Sequence, residues 1–240
     1  MSLLDALFFD IDDTLFPTTE FAQRARWNAV KAMVAAGLDV SEQEVFQELT
    51  EVIGEFTSNY GNHYGHLLKR LGPDVTRDVN PALIIAAGVA AYHDTKFREI
   101  APFDDVLPLL ADLQKAELTV GIITHGLTVK QAEKLLRLGI VPYLDPDAIY
   151  ISEQVGISKP NPKLYLHALE EQELAPERVM YVGDNPSHDI APPNSLGMVT
   201  AWSSRAARQD IANTDILPDH SISSFEQLRI VLRQHYKVPV

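Results

Sequence analysis

The sequence predicts an α/β protein, with a parallel sheet covered by helices on both faces and an all-helical domain inserted into it. Three observations predict this. Short apolar runs at residues 6–9, 118–124, 148–151, 178–183 and 197–202 have the length and composition of strands buried on both faces. From residue 101 onward these runs alternate with helical patterns, the signature of strand–helix–strand units. Between the first and second runs the periodicity is helical throughout. The expected division is 1–16 with 99–240 as the core and 17–98 as the inserted cap.

Taken in order, Ala6-Leu7-Phe8-Phe9 forms the first strand and runs directly into Asp10-Ile11-Asp12-Asp13-Thr14. Phe16 to Glu20 reads as a turn, with Thr18 or Thr19 placed to cap the helix that follows. Phe21, Ala25, Ala29, Ala32 and Met33 recur at helical spacing, and Gly37 offers a stop. Ser41 followed by Glu44 is a capping-box pattern for a helix running to about Phe56. The polar stretch Thr57-Ser58-Asn59-Tyr60-Gly61-Asn62 separates it from a short helix at residues 63–71, and another helix spans about 81–97. In the core, helices are expected to about Glu117 and then over 129–138, 162–172, 189–196 and 224–235. An insertion after the first strand would lie over the carboxyl ends of the strands, where open α/β sheets take their ligands.

The whole chain sets outer bounds. Its 240 residues suffice for a large core, and 20 basic against 33 acidic residues give a net charge of −13. Such an excess disfavours nucleic acid polymers and anionic membranes. The absence of cysteine excludes disulfides and thiolate chemistry. With no leader pattern and no membrane-spanning run, a cytoplasmic protein, monomer or homodimer, is expected.

Four places carry chemistry, each at a strand end or in the loop that serves it. They are Asp10 to Thr14, Thr124-His125-Gly126, Ser158-Lys159-Pro160, and Gly183-Asp184-Asn185 through Asp189. Three carboxylates within four residues after a buried strand repel one another and lose hydration, so a positive group is required beside them. Hard carboxylate oxygens suit Mg²⁺, and a hydroxyl with an ammonium suits phosphate oxygens.

In order and spacing these motifs resemble the haloacid dehalogenase-like hydrolases, in the branch with a helical cap after the first strand. The resemblance implies a Rossmann-like core and a small phosphorylated metabolite as partner. It implies Asp10 as nucleophile, forming an aspartyl-phosphate, and Asp12 as general acid and base. It implies Mg²⁺ held by the Asp10 carboxylate, the Asp12 backbone carbonyl and Asp184, with Asp189 in support. Thr124 and Lys159 would stabilise the phosphoryl group, and His125 and Asn185 complete the candidate substrate-binding set. Members that cleave carbon–halogen bonds lack a carboxylate at the Asp12 position, so phosphate-ester hydrolysis is favoured. Asp13 is expected to be a solvated or helix-capping bystander. Pro192-Pro193 replaces a small Gly-Ala pair usual in the family.

Substrate choice falls to the cap, with Arg24, Arg26, Trp27, Asn59, Tyr60, His63, Tyr64 and His66 as candidate contacts. A nucleotide or a sugar phosphate are the substrates considered. The alternatives on the same scaffold are a phosphomutase and a non-catalytic binding protein.

Overall fold

The computed structural model describes residues 3–57, 59–76 and 79–240. Strand β1 (Ala6–Phe9) leads into helices α1 (Thr18–Ala35), α2 (Glu42–Phe56), α3 (His63–Leu71) and α4 (Pro81–Glu99). There follow α5 (Val106–Leu113), β2 (Thr119–Thr124), α6 (Thr128–Arg137), β3 (Ile149–Ile151), α7 (Ser152–Val155) and α8 (Lys163–Glu171). The chain ends with β4 (Val179–Gly183), α9 (Ala191–Ser195), β5 (Val199–Ser203), β6 (His220–Ile222) and α10 (Phe225–Tyr236). It divides into two compact units, Met1–Thr19 with Ala101–Val240, and Glu20–Ile100.

In the first unit the six strands are parallel and ordered β3-β2-β1-β4-β5-β6. The central strand β1 is buried at all four positions, which is why its sequence is uniformly apolar rather than alternating. Phe9 lies beside Ile122 of β2 on one side and Val182 of β4 on the other. One face of the sheet packs Phe8, Ile123, Tyr150 and Tyr181 against Leu164, Tyr165 and Ala168 of α8. On the other, Phe9 meets Phe225 of α10 at 6.0 Å between ring centroids. The chain leaves β1 for β2 and β3, then returns to β4 on β1's opposite flank. The switch in order lies between β1 and β4, and the crevice at their carboxyl ends is where a ligand site belongs.

Two departures from expectation concern this sheet. The sixth strand, His220-Ser221-Ile222, has a single buried side chain and sits at the edge, so its sequence carries no apolar run. The expected helix over 189–196 instead begins as one wide turn at Pro186–Ile190 and becomes α9 afterwards. Pro192 and Pro193 stand in the first turn of α9, where a missing N–H costs no helical hydrogen bond.

The second unit is helical among its described residues, with Val30, Met33, Leu38, Val45, Leu49, Leu67 and Ile84 forming its core. Ser41 caps α2 by accepting from the Glu44 amide at 3.3 Å, as the capping pattern predicts. Ser58 of the polar stretch lies outside the described residues. Trp27 packs edge-on against Phe46 at 4.8 Å, and Tyr64 is partly buried against the core. Arg24 pairs with Glu99 at 2.7 Å. Tyr60, His63 and His66 gather around Phe56, with the His66 ring stacked on Phe56 at 4.4 Å. The Tyr60 hydroxyl lies 2.7 Å from His66 Nε2, and His63 Nε2 lies 2.7 Å from the Thr57 carbonyl oxygen.

Candidate active site

The turn after β1 brings three carboxylates to one crevice but commits the third to helix α1. Asp10, Asp12 and Asp13 all line the crevice, but Asp13 adopts the left-handed region at φ 55° and turns its carboxylate back to the start of α1. Its carboxylate accepts from the Thr19 amide at 2.8 Å and from the Thr19 hydroxyl at 2.5 Å. Asp13 therefore caps α1 and is buried, not solvated. The threonines expected to cap that helix do something different. Thr19 is held by Asp13, and the Thr18 hydroxyl donates to Asp12 Oδ1 at 2.7 Å.

Lys159 arrives from the loop before α8 and is buried beneath the carboxylates. Its Nζ donates to Asp10 Oδ1 at 3.0 Å, Asp189 Oδ1 at 2.7 Å and the Tyr181 hydroxyl at 2.6 Å. The Tyr181 hydroxyl in turn donates to the Ile123 carbonyl at 2.7 Å, so all three ammonium protons have fixed acceptors. Burial alone would push the Lys159 ammonium down, but Asp10 and Asp189 outweigh it and hold it above the ordinary lysine range.

Asp184 ends β4 and Asp189 follows in the wide turn. The two approach because residue 183 is glycine: a Cβ there would meet the Asp189 side chain at 2.4 Å. Asp189 Oδ2 accepts from the Asn185 amide at 3.0 Å, and the Thr14 hydroxyl donates to Asp184 Oδ1 at 3.3 Å. Asn185 lines the crevice, but its side-chain oxygen is taken by the Ser187 and His188 amides at 3.1 and 3.2 Å.

Asp10, Asp184 and Asp189 each bring a carboxylate oxygen within 4.8 Å of the others. Burial, then mutual repulsion with Asp189, pushes Asp184 up to about 8. Asp10 is pushed up to about 6, by burial first, with Lys159 opposing and Asp189 and Asp12 adding to the rise. The crevice, about 290 Å³, is lined by five carboxylates and only two permanent cations, Lys159 and Arg208. A set of hard oxygen donors with excess negative charge fits a divalent cation such as Mg²⁺, which would offset the repulsion that a phosphate meets there.

Asp12 is not part of that cluster. Its carboxylate accepts from Lys134 Nζ at 2.6 and 2.7 Å, from Thr18, and from Gln131 Nε2 at 3.2 Å. Burial alone would raise it, but the Lys134 ammonium and these hydrogen bonds together hold it below the usual carboxylate value.

Thr124, at the end of β2, is fully buried, and its hydroxyl accepts from Gln131 Nε2 at 3.0 Å. Neighbouring His125 is exposed and lines the crevice, its Nδ1 2.6 Å from the Ser158 hydroxyl. Burial, then Lys159 and His188, lower its basicity against the opposing pull of Asp12.

Sequence reasoning missed four crevice-side residues. Gln131 and Lys134 lie three apart on one face of α6, directly after the Thr124 loop. That spacing puts them on one face but does not single Lys134 out from Lys130 and Arg137 on the same helix. Arg208 and Gln209 come from an irregular loop after β5, with no pattern to mark them.

A family model for haloacid dehalogenase-like hydrolases matches residues 4–197. The glyceraldehyde 3-phosphate phosphatase of Methanopyrus kandleri is 43% identical over 97% of this chain and 98% of its own. That of Methanocaldococcus jannaschii is 36% identical over 94% and 96%. Among solved structures, a Bacillus subtilis protein described as a HAD-hydrolase, YfnB, bound to magnesium, aligns with TM-score 0.67. It is 20% identical and the alignment covers 95% of this chain and 98% of that one, a likeness of fold. With its motifs gathered at the switch point of a parallel sheet, and with phosphatases as near relatives, the chain belongs to the haloacid dehalogenase-like hydrolases, in their phosphatase branch.

Proposed function

We propose that this phosphatase hydrolyses a small sugar phosphate, with glyceraldehyde 3-phosphate as the leading substrate, using Mg²⁺ and an aspartyl-phosphate on Asp10. One observation carries the reading. Asp10 stands at the switch point beside a buried lysine that also holds Asp189, with Asp184 close to both carboxylates and Asp12 at the same opening. The two relatives named for glyceraldehyde 3-phosphate, matched over nearly their whole length, support the substrate. A crevice of about 290 Å³ suits a small ester, being at the low end of small-molecule sites at roughly 300–1,000 Å³.

In this reading Asp10 and Asp184 hold the metal, while both oxygens of Asp189 are committed to Lys159 and the Asn185 amide. Bound there, Mg²⁺ supplies the positive charge that lets a carboxylate meet a phosphate. Lys159 fixes the Asp10 carboxylate, whose oxygen attacks phosphorus as the ester P–O bond breaks. Asp12, charged and fully hydrogen-bonded as it stands, would first exchange one of those bonds for a proton, pass that proton to the leaving alkoxide, and then take one from the water that hydrolyses the acyl phosphate. Thr124 accepts from Gln131 and would offer its own hydroxyl proton to a phosphoryl oxygen.

The test is phosphate release from a panel of phosphorylated metabolites with Mg²⁺. Glyceraldehyde 3-phosphate is expected to give the highest kcat/KM among trioses, pentoses, hexoses and nucleotides. Preference for a nucleoside monophosphate would displace the sugar-phosphate reading, and inertness toward every ester would sink the phosphatase reading.

A further inference from the structure

The Asp12 carboxylate has an environment that neither the family motifs nor the proposed chemistry requires. A carboxylate offers about four acceptor positions, two on each oxygen. Here Oδ1 is taken by Lys134 and Thr18, and Oδ2 by Lys134 and Gln131. Lys134 alone fills one position on each oxygen, so it fixes the rotation of the carboxylate as well as its location. The lysine is itself held. Its side chain is only 19% exposed, and its Nζ lies 5.9 Å from the centre of the Phe16 ring. Gln131, three residues earlier on α6, ties the same carboxylate to the Thr124 hydroxyl and the His125 carbonyl. Gly126 passes close by, where a Cβ would meet the Gln131 side chain at 3.1 Å.

We propose that Lys134 is a positioning residue for the reaction, aiming the Asp12 carboxyl group at the oxygen of the leaving group. The inference rests on the phosphatase reading and on Asp12 as its general acid. An acid misaligned by an ångström delivers its proton poorly, and the penalty falls where the leaving group needs a proton. An alkoxide needs one to depart, whereas nitrophenolate departs as the anion. Lys134 therefore affects alkyl esters more than aryl esters, a difference that a purely structural lysine would not produce.

The experiment measures kcat/KM for glyceraldehyde 3-phosphate, glycerol 3-phosphate and p-nitrophenyl phosphate, with Mg²⁺ present. It compares wild type, Lys134→Met, Lys134→Arg, Asp12→Asn and the Asp12→Asn/Lys134→Met double variant. Lys134→Gln replaces Lys134→Met if the latter does not fold. The ratio of the faster alkyl ester to the aryl ester is expected to fall about fivefold or more in Lys134→Met and to recover at least half-way in Lys134→Arg. It should fall no further when Lys134→Met is added to Asp12→Asn, since the lysine acts through the carboxylate. A ratio within about twofold of wild type, or an additional drop on the Asp12→Asn background, overturns the inference while leaving the phosphatase intact. A wild type inert toward all three esters overturns the phosphatase reading, and this inference with it.

Discussion

Asp10 and Asp12 are two residues apart on one turn, face one crevice, and sit in opposite electrostatic surroundings. Asp10 shares its side of the opening with Asp184 and Asp189, and a single buried ammonium serves the group. Asp12 has an ammonium and a hydroxyl donating to it and shares the Gln131 amide with Thr124 and His125. The first side is short of positive charge and the second is saturated with donors. In the proposed function a cation would therefore be held by Asp10 and Asp184 rather than by the Asp12 carboxylate. Identical side chains so close together acquire different tasks because different strands and helices supply their neighbours.

The largest expected effect comes from removing the proposed nucleophile. Asp10→Asn should lower phosphate release by about a thousandfold or more. Without added metal, its melting temperature at pH 8 should be unchanged or higher, because the amide removes a charge that burial disfavours. Asp12→Asn should instead melt lower, since it strips Lys134 of its partner, at a cost of about 1–3 kcal/mol. Equal shifts in the two variants would erase the contrast.

Metal binding sharpens the same comparison. Asp184→Asn should abolish stabilisation by Mg²⁺ in thermal melts, whereas Asp12→Asn should retain most of it. Loss of the response in both would place the cation between the two sides.

The pH dependence follows from the raised groups. Asp184 moves from 3.8 unfolded to about 8 folded, and Asp10 from 3.8 to about 6. Their protonated forms stabilise the folded state fully below pH 3.8, and that contribution is lost as pH rises towards 8. Metal-free protein should therefore lose melting temperature between about pH 5 and pH 8, and the increment given by Mg²⁺ should grow over the same interval. Asp12, held low, acts in the other direction, its contribution fading only in acid below pH 3.8. A flat Mg²⁺ increment across that interval would count against Asp10 and Asp184 as ligands.

The smallest effect concerns the third carboxylate. Asp13→Ala removes the cap of α1 and should cost about 1 kcal/mol of stability, read by denaturant unfolding, with kcat little changed.

Much of this was legible in the sequence, and the reasons are physical. Strands buried on both faces must be apolar throughout, so β1, β2 and β4 announced themselves, and the polar residues interrupting their ends marked the crevice. Gly183 and Asp189 were legible only as parts of the family motif, and the structure supplies the reason, since a Cβ at 183 would meet the Asp189 side chain. What stayed hidden depended on contacts remote in sequence. Lys134 shares α6 with two other basic residues, Lys130 and Arg137, and nothing local sets it apart from them. Only the fold brings it back across 122 positions to Asp12. The edge strand β6 was invisible because neighbouring β5, not its own composition, makes it a strand.

The most direct measurement is peptide mass mapping of protein mixed with Mg²⁺ and glyceraldehyde 3-phosphate and quenched in acid during turnover. A phosphoryl group on the peptide carrying Asp10, absent from Asp10→Asn, is the expected result. Steady turnover with that peptide unmodified, or with the phosphoryl group on the Asp184 peptide, would contradict it.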